Sequence, residues 1–79
     1  MKWHYTKDGD YPQKTDDKRY GEHVPCLVEM EHFDYKLLCY NTYYQCWDDD
    51  ECDDFYCDIH SVKRWISVQE INDAMESES

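Results

Sequence analysis

The chain has 79 residues, a formal net charge of −11, and three Trp, eight Tyr and two Phe. This length predicts a single small domain with a modest core. The aromatic content argues against a disordered acidic tail, because disordered chains are poor in aromatic residues. The negative charge opposes direct binding to nucleic acid or to an anionic membrane, and it favours a basic partner.

Residues 1–23 are predicted to form a loop-rich segment. The stretch "KDGDYP" places a proline shortly after Asp-Gly, which is typical of a turn. Trp3, Tyr5 and Tyr11 are expected to anchor this segment on the core. The opening "MKWHYTKDGD" has no apolar signal region, and no apolar run is long enough to span a membrane. We therefore expect a cytoplasmic protein.

Residues 24–70 are predicted to form the sheet, and residues 71–79 a frayed polar tail. Strands are expected in "VPCLVEMEH", "YKLLCY", "YYQCW" and "SVKRWISV". Short strands with tight turns predict a small β-rich α+β fold, an antiparallel meander of three or four strands. At most one short helix is expected. The spacing of Cys52, Ile59 and Val62 permits one helical turn in an otherwise irregular acidic loop.

The acidic stretch "WDDDECDDFYCD", Trp47–Asp58, carries seven carboxylates. Such a run is usually a solvated loop. It also suggests a protein surface that imitates the closely spaced charges of nucleic acid. Further acids lie on the first strand and in its turn, bases are scarce from Gly21 onward, and exposed tyrosines near the acids can anchor an interface. The predicted partner-binding residues are Asp48, Asp49, Asp50, Glu51, Asp53, Asp54, Glu29, Glu31, Asp34, Tyr43, Tyr44 and Tyr56.

The five cysteines, an odd number without a signal sequence, predict reduced thiols and no disulfide framework. No cofactor is expected, and the alternative is a structural zinc ion held by Cys46, Cys52, Cys57 and His60. Cys57 and His60 have the close spacing of a zinc ligand pair, whereas Cys46 and Cys52 are too far apart for a standard one. The stretch does not fit an EF-hand calcium loop, which requires Gly at its sixth position and Glu at its twelfth.

Enzymatic chemistry is not expected. Five Cys and four His make a chance combination of Cys, His and Asp almost unavoidable. The two glycines, Gly9 and Gly21, form no glycine-rich phosphate loop. A domain this small is also a poor host for the concave pocket that most active sites require.

A set of apolar and aromatic positions resembles a loose group of small phage- and prophage-encoded domains of unknown function. The matching residues are Trp3, Leu27, Val28, Tyr43, Tyr44, Trp47, Val62 and Trp65. The N-terminal loop is longer than in that group, and its proline-rich ending is absent. The resemblance implies a phage context in a bacterial host cell and supplies no catalytic residues.

Acidity and the phage resemblance together favour a non-enzymatic inhibitor of a bacterial defence nuclease. This anti-CRISPR-like protein would act by nucleic-acid mimicry on a basic nucleic-acid-binding protein or nuclease complex, such as a CRISPR effector or a restriction enzyme. Two alternatives remain. One is a zinc-stabilised interaction domain, and the other is a prophage protein whose acidity only keeps it soluble.

Overall fold

A computed structural model describes residues 2–16, 20–32 and 34–77. Within these residues the chain forms six strands, two short 3-10 turns and one helix. The strands are β1 (His4–Tyr5), β2 (His23–Met30), β3 (Tyr35–Asn41), β4 (Cys46–Asp48), β5 (Phe55–Cys57) and β6 (Val62–Ser67). The helix is α1 (Val68–Ser77), and the 3-10 turns are Thr6–Asp8 and Ile59–Ser61.

The strands form one antiparallel sheet in the order β1-β6-β2-β3-β4-β5. The β-rich fold with one short helix confirms the prediction in its coarse form. The predicted three or four strands were too few. A meander does run from β2 to β5, but β6 then returns to the free side of β2 and the short β1 adds beside it. The alternation of apolar residues identifies a strand but does not say which strand pairs with it, so it does not reveal that β6 pairs with β2.

One face of the sheet carries the core. Successive side chains of a strand point to opposite faces, and the register places Cys26 between Leu38 and Ser67. The Tyr40 and Trp47 rings meet edge to face with centroids 4.8 Å apart, a favourable aromatic arrangement. The buried cluster on this face consists of Val24, Cys26, Val28, Leu38, Tyr40, Trp47, Val62 and Trp65.

Parts of the polar N-terminal segment cover this core, as predicted for Tyr11. Tyr11 packs against the buried cluster, together with Met30, Cys57 and Ile59, and the indole N–H of Trp65 donates to the carbonyl of Asp10 at 2.8 Å. Gly9 has a φ of 74° and its N–H donates to Thr6 O at 2.9 Å, so the predicted Asp-Gly turn is present. Met1 and residues 17–19 of this predicted loop lie outside the described residues, as does Phe33.

The C-terminal tail is helical where the sequence predicted fraying. Helix α1 runs to Ser77, and Ser67 Oγ accepts the backbone N–H of Glu70 at 3.1 Å, an N-terminal cap. Residues 78–79 of the predicted tail lie outside the described residues.

The segment between Cys52 and Val62 was expected to be irregular with at most one helical turn. It contains the strand β5 and, as its only turn of helix, the 3-10 turn Ile59–Ser61. Within the described part of the chain, no helix is long and apolar enough to cross a membrane.

Candidate functional site

The acidic stretch divides into structurally different parts. Trp47 and Asp48 end β4, Phe55–Cys57 form β5, and Asp58 caps the following 3-10 turn by accepting the His60 N–H at 2.9 Å. Residues 49–54 connect the two strands and are called the acidic loop below. Four of its side chains, Asp50, Glu51, Asp53 and Asp54, are exposed.

Asp49 organises the acidic loop from within. Its Oδ1 accepts the backbone N–H groups of Asp53 at 3.1 Å, Glu51 at 3.2 Å and Asp54 at 3.5 Å. The Asp49 N–H in turn donates to Asp54 O at 2.8 Å, which closes the loop. These bonds, first that from Asp53, favour the ionised carboxylate and hold the pKa of Asp49 below its usual value. Asp49 is therefore a structural residue of the loop as well as an acid.

A disulfide attaches the acidic loop to the sheet. Cys52 in the loop bonds to Cys39 of β3, with their Cα atoms 5.3 Å apart. Cys39 alternates with the core residues Leu38 and Tyr40, so it belongs to the opposite face of the sheet. Cys52 adopts a φ of 59°, which is uncommon for a residue other than glycine. The predicted reduced state is wrong for this pair, and the loop is held to the non-core face near β3.

Asp48 is buried, although the sequence predicted an exposed partner-binding residue. It is only 6% exposed, and its Oδ2 lies 2.7 Å from His23 Nε2 and 3.2 Å from the Asn41 amide nitrogen that donates to it. The thiol of Cys46 donates to its Oδ1 at 3.6 Å. A buried carboxylate needs such partners, because an unpaired buried charge is costly. Asp48 in β4 therefore links to His23 of β2 and Asn41 of β3, and its carboxylate is not available to a partner protein.

Glu29 is buried in the same way, at 6% exposure. Its Oε1 accepts from Arg64 Nε at 2.7 Å, and Arg64 also donates to the Tyr35 hydroxyl at 3.0 Å. The guanidinium lies over the Trp3 ring, 4.3 Å from its centroid. The charge of Glu29 is thus paired inside the protein, and it contributes little to the surface field.

The turn acids Glu31 and Asp34 are exposed. Glu31 lines a groove whose other side chains include Lys7, Lys63 and His60, so its surroundings are partly basic. The acidic loop lines two different grooves. The structure therefore does not join Glu31 to the acidic loop in one groove.

Tyr43, Tyr44 and Tyr56 are exposed, and Tyr44 and Tyr56 line grooves with residues of the acidic loop. Tyr44 is 74% exposed and contacts the Tyr43 ring edge to face at 4.8 Å. Asn41 Oδ1 accepts the backbone N–H groups of Tyr43 and Tyr44, each at 3.0 Å, which fixes this turn. Tyr44 lines a shallow groove together with Asp53 and Phe55.

Phe55 belongs to this surface although the sequence did not single it out. It is 67% exposed and stands beside Asp48 in the strand register. Tyr56 lines a second shallow groove with Asp49, Asp50 and Lys36, whose Nζ lies 5.8 Å from the centroid of the Tyr56 ring. The sequence contains a signal for Phe55, because a phenylalanine between an acidic run and a tyrosine is a large apolar side chain that suits a core or an interface. We call the acidic loop with Tyr43, Tyr44, Phe55 and Tyr56 the acidic-aromatic surface.

The residues of the alternative zinc site are not brought together. The sulfur of Cys52 is bonded to Cys39, which removes one of the four predicted ligands. Burial, followed by the neighbouring Asp58 and Cys46, raises the pKa of Cys57 to about 11, and burial with Asp48 raises that of Cys46. Protonated thiols are poor nucleophiles. Among the described residues no three His, Cys, Asp or Glu side chains converge as a metal site requires.

No family model matches the chain, and no curated protein or solved structure matches it.

Proposed function

We propose that this protein is a non-enzymatic module that binds a basic, nucleic-acid-binding protein through the acidic-aromatic surface. The observation that carries the proposal is the presentation of Asp50, Glu51, Asp53 and Asp54. These four exposed carboxylates stand on a loop that is closed internally by Asp49 and attached to β3 by a disulfide. A loop that served only for solubility would not require such fixation.

The exposed carboxylates of the acidic loop are available to a partner, and Lys36 is a base in the same groove as Asp50. Within the described residues, neither Lys nor Arg forms an ion pair with Asp50, Glu51, Asp53 or Asp54. Exposed carboxylates held at fixed positions attract an Arg- and Lys-lined groove and accelerate the encounter at low salt. The same groove would otherwise hold the phosphates of DNA or RNA, so the loop and the nucleic acid would compete for it.

The aromatic residues supply the apolar part of the contact. Tyr44 and Phe55 are largely exposed and share a groove with Asp53. Large rigid aromatic side chains carry much of the binding free energy in protein interfaces, and arginine from a partner stacks on them favourably. Charge brings the partner to this surface, and burial of the rings holds it there.

The target class follows from the acidic surface together with the resemblance to phage-encoded domains. A phage product that occupies a nucleic-acid groove is useful against a host nuclease, such as a CRISPR effector or a restriction enzyme. The proposed activity is therefore inhibition of a defence nuclease by competition with its nucleic acid.

The test replaces Asp50, Asp53 and Asp54 by lysine and leaves the structural residue Asp49 unchanged. The matched control replaces the exposed acids Asp8, Asp16 and Glu76 by lysine, which changes the net charge equally. Both variants are expressed in bacteria carrying a defined CRISPR or restriction system, and phage plaques are counted. The same proteins are added to purified nuclease cleaving DNA.

The loop variant should lose inhibition while the control variant retains it, and near-ultraviolet circular dichroism should show that both are folded. Inhibition by the wild type should weaken between about 50 mM and about 200 mM salt, because charge attraction is screened. Equal inhibition by the two folded variants would contradict the proposal.

A further inference from the structure

The outer edge of β5 is an open side of the sheet. β5 stands last in the strand order, and no described strand pairs with its outer side. The opposite edge, β1, is only two residues long and leads directly into a 3-10 turn. An unpaired edge exposes backbone N–H and C=O groups that can pair with a strand from another chain.

The side chains of β5 leave this edge accessible. Phe55 and Tyr56 are both exposed, and aromatic residues form favourable pairs with neighbours on an adjacent strand. Proteins commonly protect an edge with lysine, proline, a bulge or a very short strand. β5 contains neither lysine nor proline. It is three residues long, and its pairing of Trp47 with Cys57 and of Asp48 with Phe55 leaves Tyr56 as an extra residue of the edge strand.

The charges at both ends of β5 select the occupant. Asp53 and Asp54 precede the strand and Asp58 follows it. A second copy pairing antiparallel at this edge would place these acids opposite one another, and like charges on facing strands are destabilising. A segment rich in lysine or arginine would meet opposite charges at both ends.

The two grooves near β5 extend towards the inner strands of the sheet. One contains Phe55, Tyr44 and Asp53 beside Asn41 and Asp48, and the other contains Tyr56, Asp49 and Asp50 beside Lys36 and Leu38. Each groove therefore offers an aromatic ring and a carboxylate next to the edge strand, and Lys36 makes the second groove less acidic than the first.

We infer that the β5 edge binds an extended Lys/Arg-rich segment of the partner by strand addition, with main-chain hydrogen bonds to Phe55–Cys57. The inference rests on the proposed function, because it names how the basic partner is held. Main-chain pairing supplies affinity, and the acids at both ends of β5 supply the preference for a basic segment.

The test uses the full chain and a short synthetic peptide of alternating lysine and valine, capped at both ends. A second peptide is N-methylated at every other amide, which leaves one edge able to pair. A third is N-methylated at every amide and can donate no main-chain hydrogen bond. All three carry the same charges. Affinities are measured by calorimetry, and amide hydrogen exchange is followed at Phe55, Tyr56 and Cys57.

The first two peptides should bind similarly, and the fully methylated peptide about tenfold or more weakly, because two or three main-chain hydrogen bonds are lost. Exchange at the three β5 amides should slow on binding. Equal affinity of all three peptides, or no binding, would overturn strand addition. If sedimentation instead shows that the protein dimerises through β5, the edge is occupied by a second copy and the inference is also overturned.

The outcome separates this inference from the proposed function. If all three peptides bind equally but binding is lost when Asp50, Asp53 and Asp54 are replaced by lysine, the loop binds basic partners by charge without strand addition. If peptide pairing is observed but the loop variant still inhibits the nuclease fully, the edge is a binding site and the proposed inhibitory mechanism fails.

Discussion

His4 connects the N-terminal segment to the C-terminal helix. Its Nδ1 lies 2.8 Å from Asp10 Oδ2, and its Nε2 lies 3.0 Å from both carboxylate oxygens of Glu70. The ring stacks on Trp65 with centroids 4.3 Å apart. Burial alone would lower the pKa of His4, but hydrogen bonds to Asp10 and Glu70 outweigh it, and the pKa is raised above 6.5.

This arrangement predicts a pH-dependent contribution to stability. Because the folded state binds the His4 proton more tightly than the unfolded state, the contribution is complete below about pH 6.5 and disappears as the pH rises through the folded pKa. Urea unfolding of the wild type and of His4→Gln should show a difference in unfolding free energy that shrinks from about pH 5.5 to about pH 9. A difference that stays constant or grows over this range would contradict the role assigned to His4.

Single acidic residues show where sequence reasoning fails at this scale. Composition treats all acids of the stretch alike, whereas the structure buries Asp48, uses Asp49 within the loop and exposes Asp50. The partners that bury Asp48 and Glu29 are His23 and Arg64, which lie 25 and 35 positions away. Spacing along the chain does not reveal such pairs, because they depend on which strands become neighbours.

At the scale of elements, the start of α1 is marked in the sequence by a helix-capping motif, but the apolar pattern of a strand overlaps it. "SVQE", Ser67–Glu70, has the Ser-x-x-Glu form that precedes many helices. Apolar Ile66 and Val68 favoured a strand through this point instead. The observed strand ends at Ser67, whose hydroxyl begins the helix.

Replacing Ser67 by alanine should lower the unfolding free energy by about 1 kcal/mol, the usual cost of losing a helix N-cap. Urea unfolding measures this loss, and far-ultraviolet circular dichroism should report a smaller helical signal. Ser77→Ala is the control, because Ser77 donates to Ala74 O at the far end of the helix. Equal effects of the two substitutions would argue against the cap.

The strands were predictable in proportion to their length. β2 and β6 have a clear alternation or apolar content over six to eight residues and were located correctly. β1 has two residues and β5 has three, too few for a periodic pattern. β4 begins at Cys46, later than predicted, because Asn41 binds the N–H groups of Tyr43 and Tyr44 and holds them in a turn.

At the scale of the whole molecule, the disulfide links the acidic surface to the sheet. Five cysteines allow many pairings, and sequence alone does not decide among them or establish that any pair forms. The pair in the structure joins the last third of β3 to a loop 13 residues further on. Thus the acidic surface was predictable in composition, but its fixation was not.

Replacing Cys39 and Cys52 by alanine should reduce the unfolding free energy by about 2–4 kcal/mol, because the unfolded chain gains freedom when the cross-link is removed. Urea unfolding measures the change. A thiol reductant should destabilise the wild type similarly and leave the double variant unaffected, since Cys26, Cys46 and Cys57 are free. Unchanged stability of the double variant would contradict this role of the bond.

The cross-link also determines how the molecule bears mechanical load. A partner that pulls on the acidic loop would exert force through Cys52 directly on Cys39 of β3. β3 is hydrogen-bonded to β2 and β4, whereas β5 is an edge strand. Tension on the loop would therefore act on an inner strand instead of peeling the edge strand away.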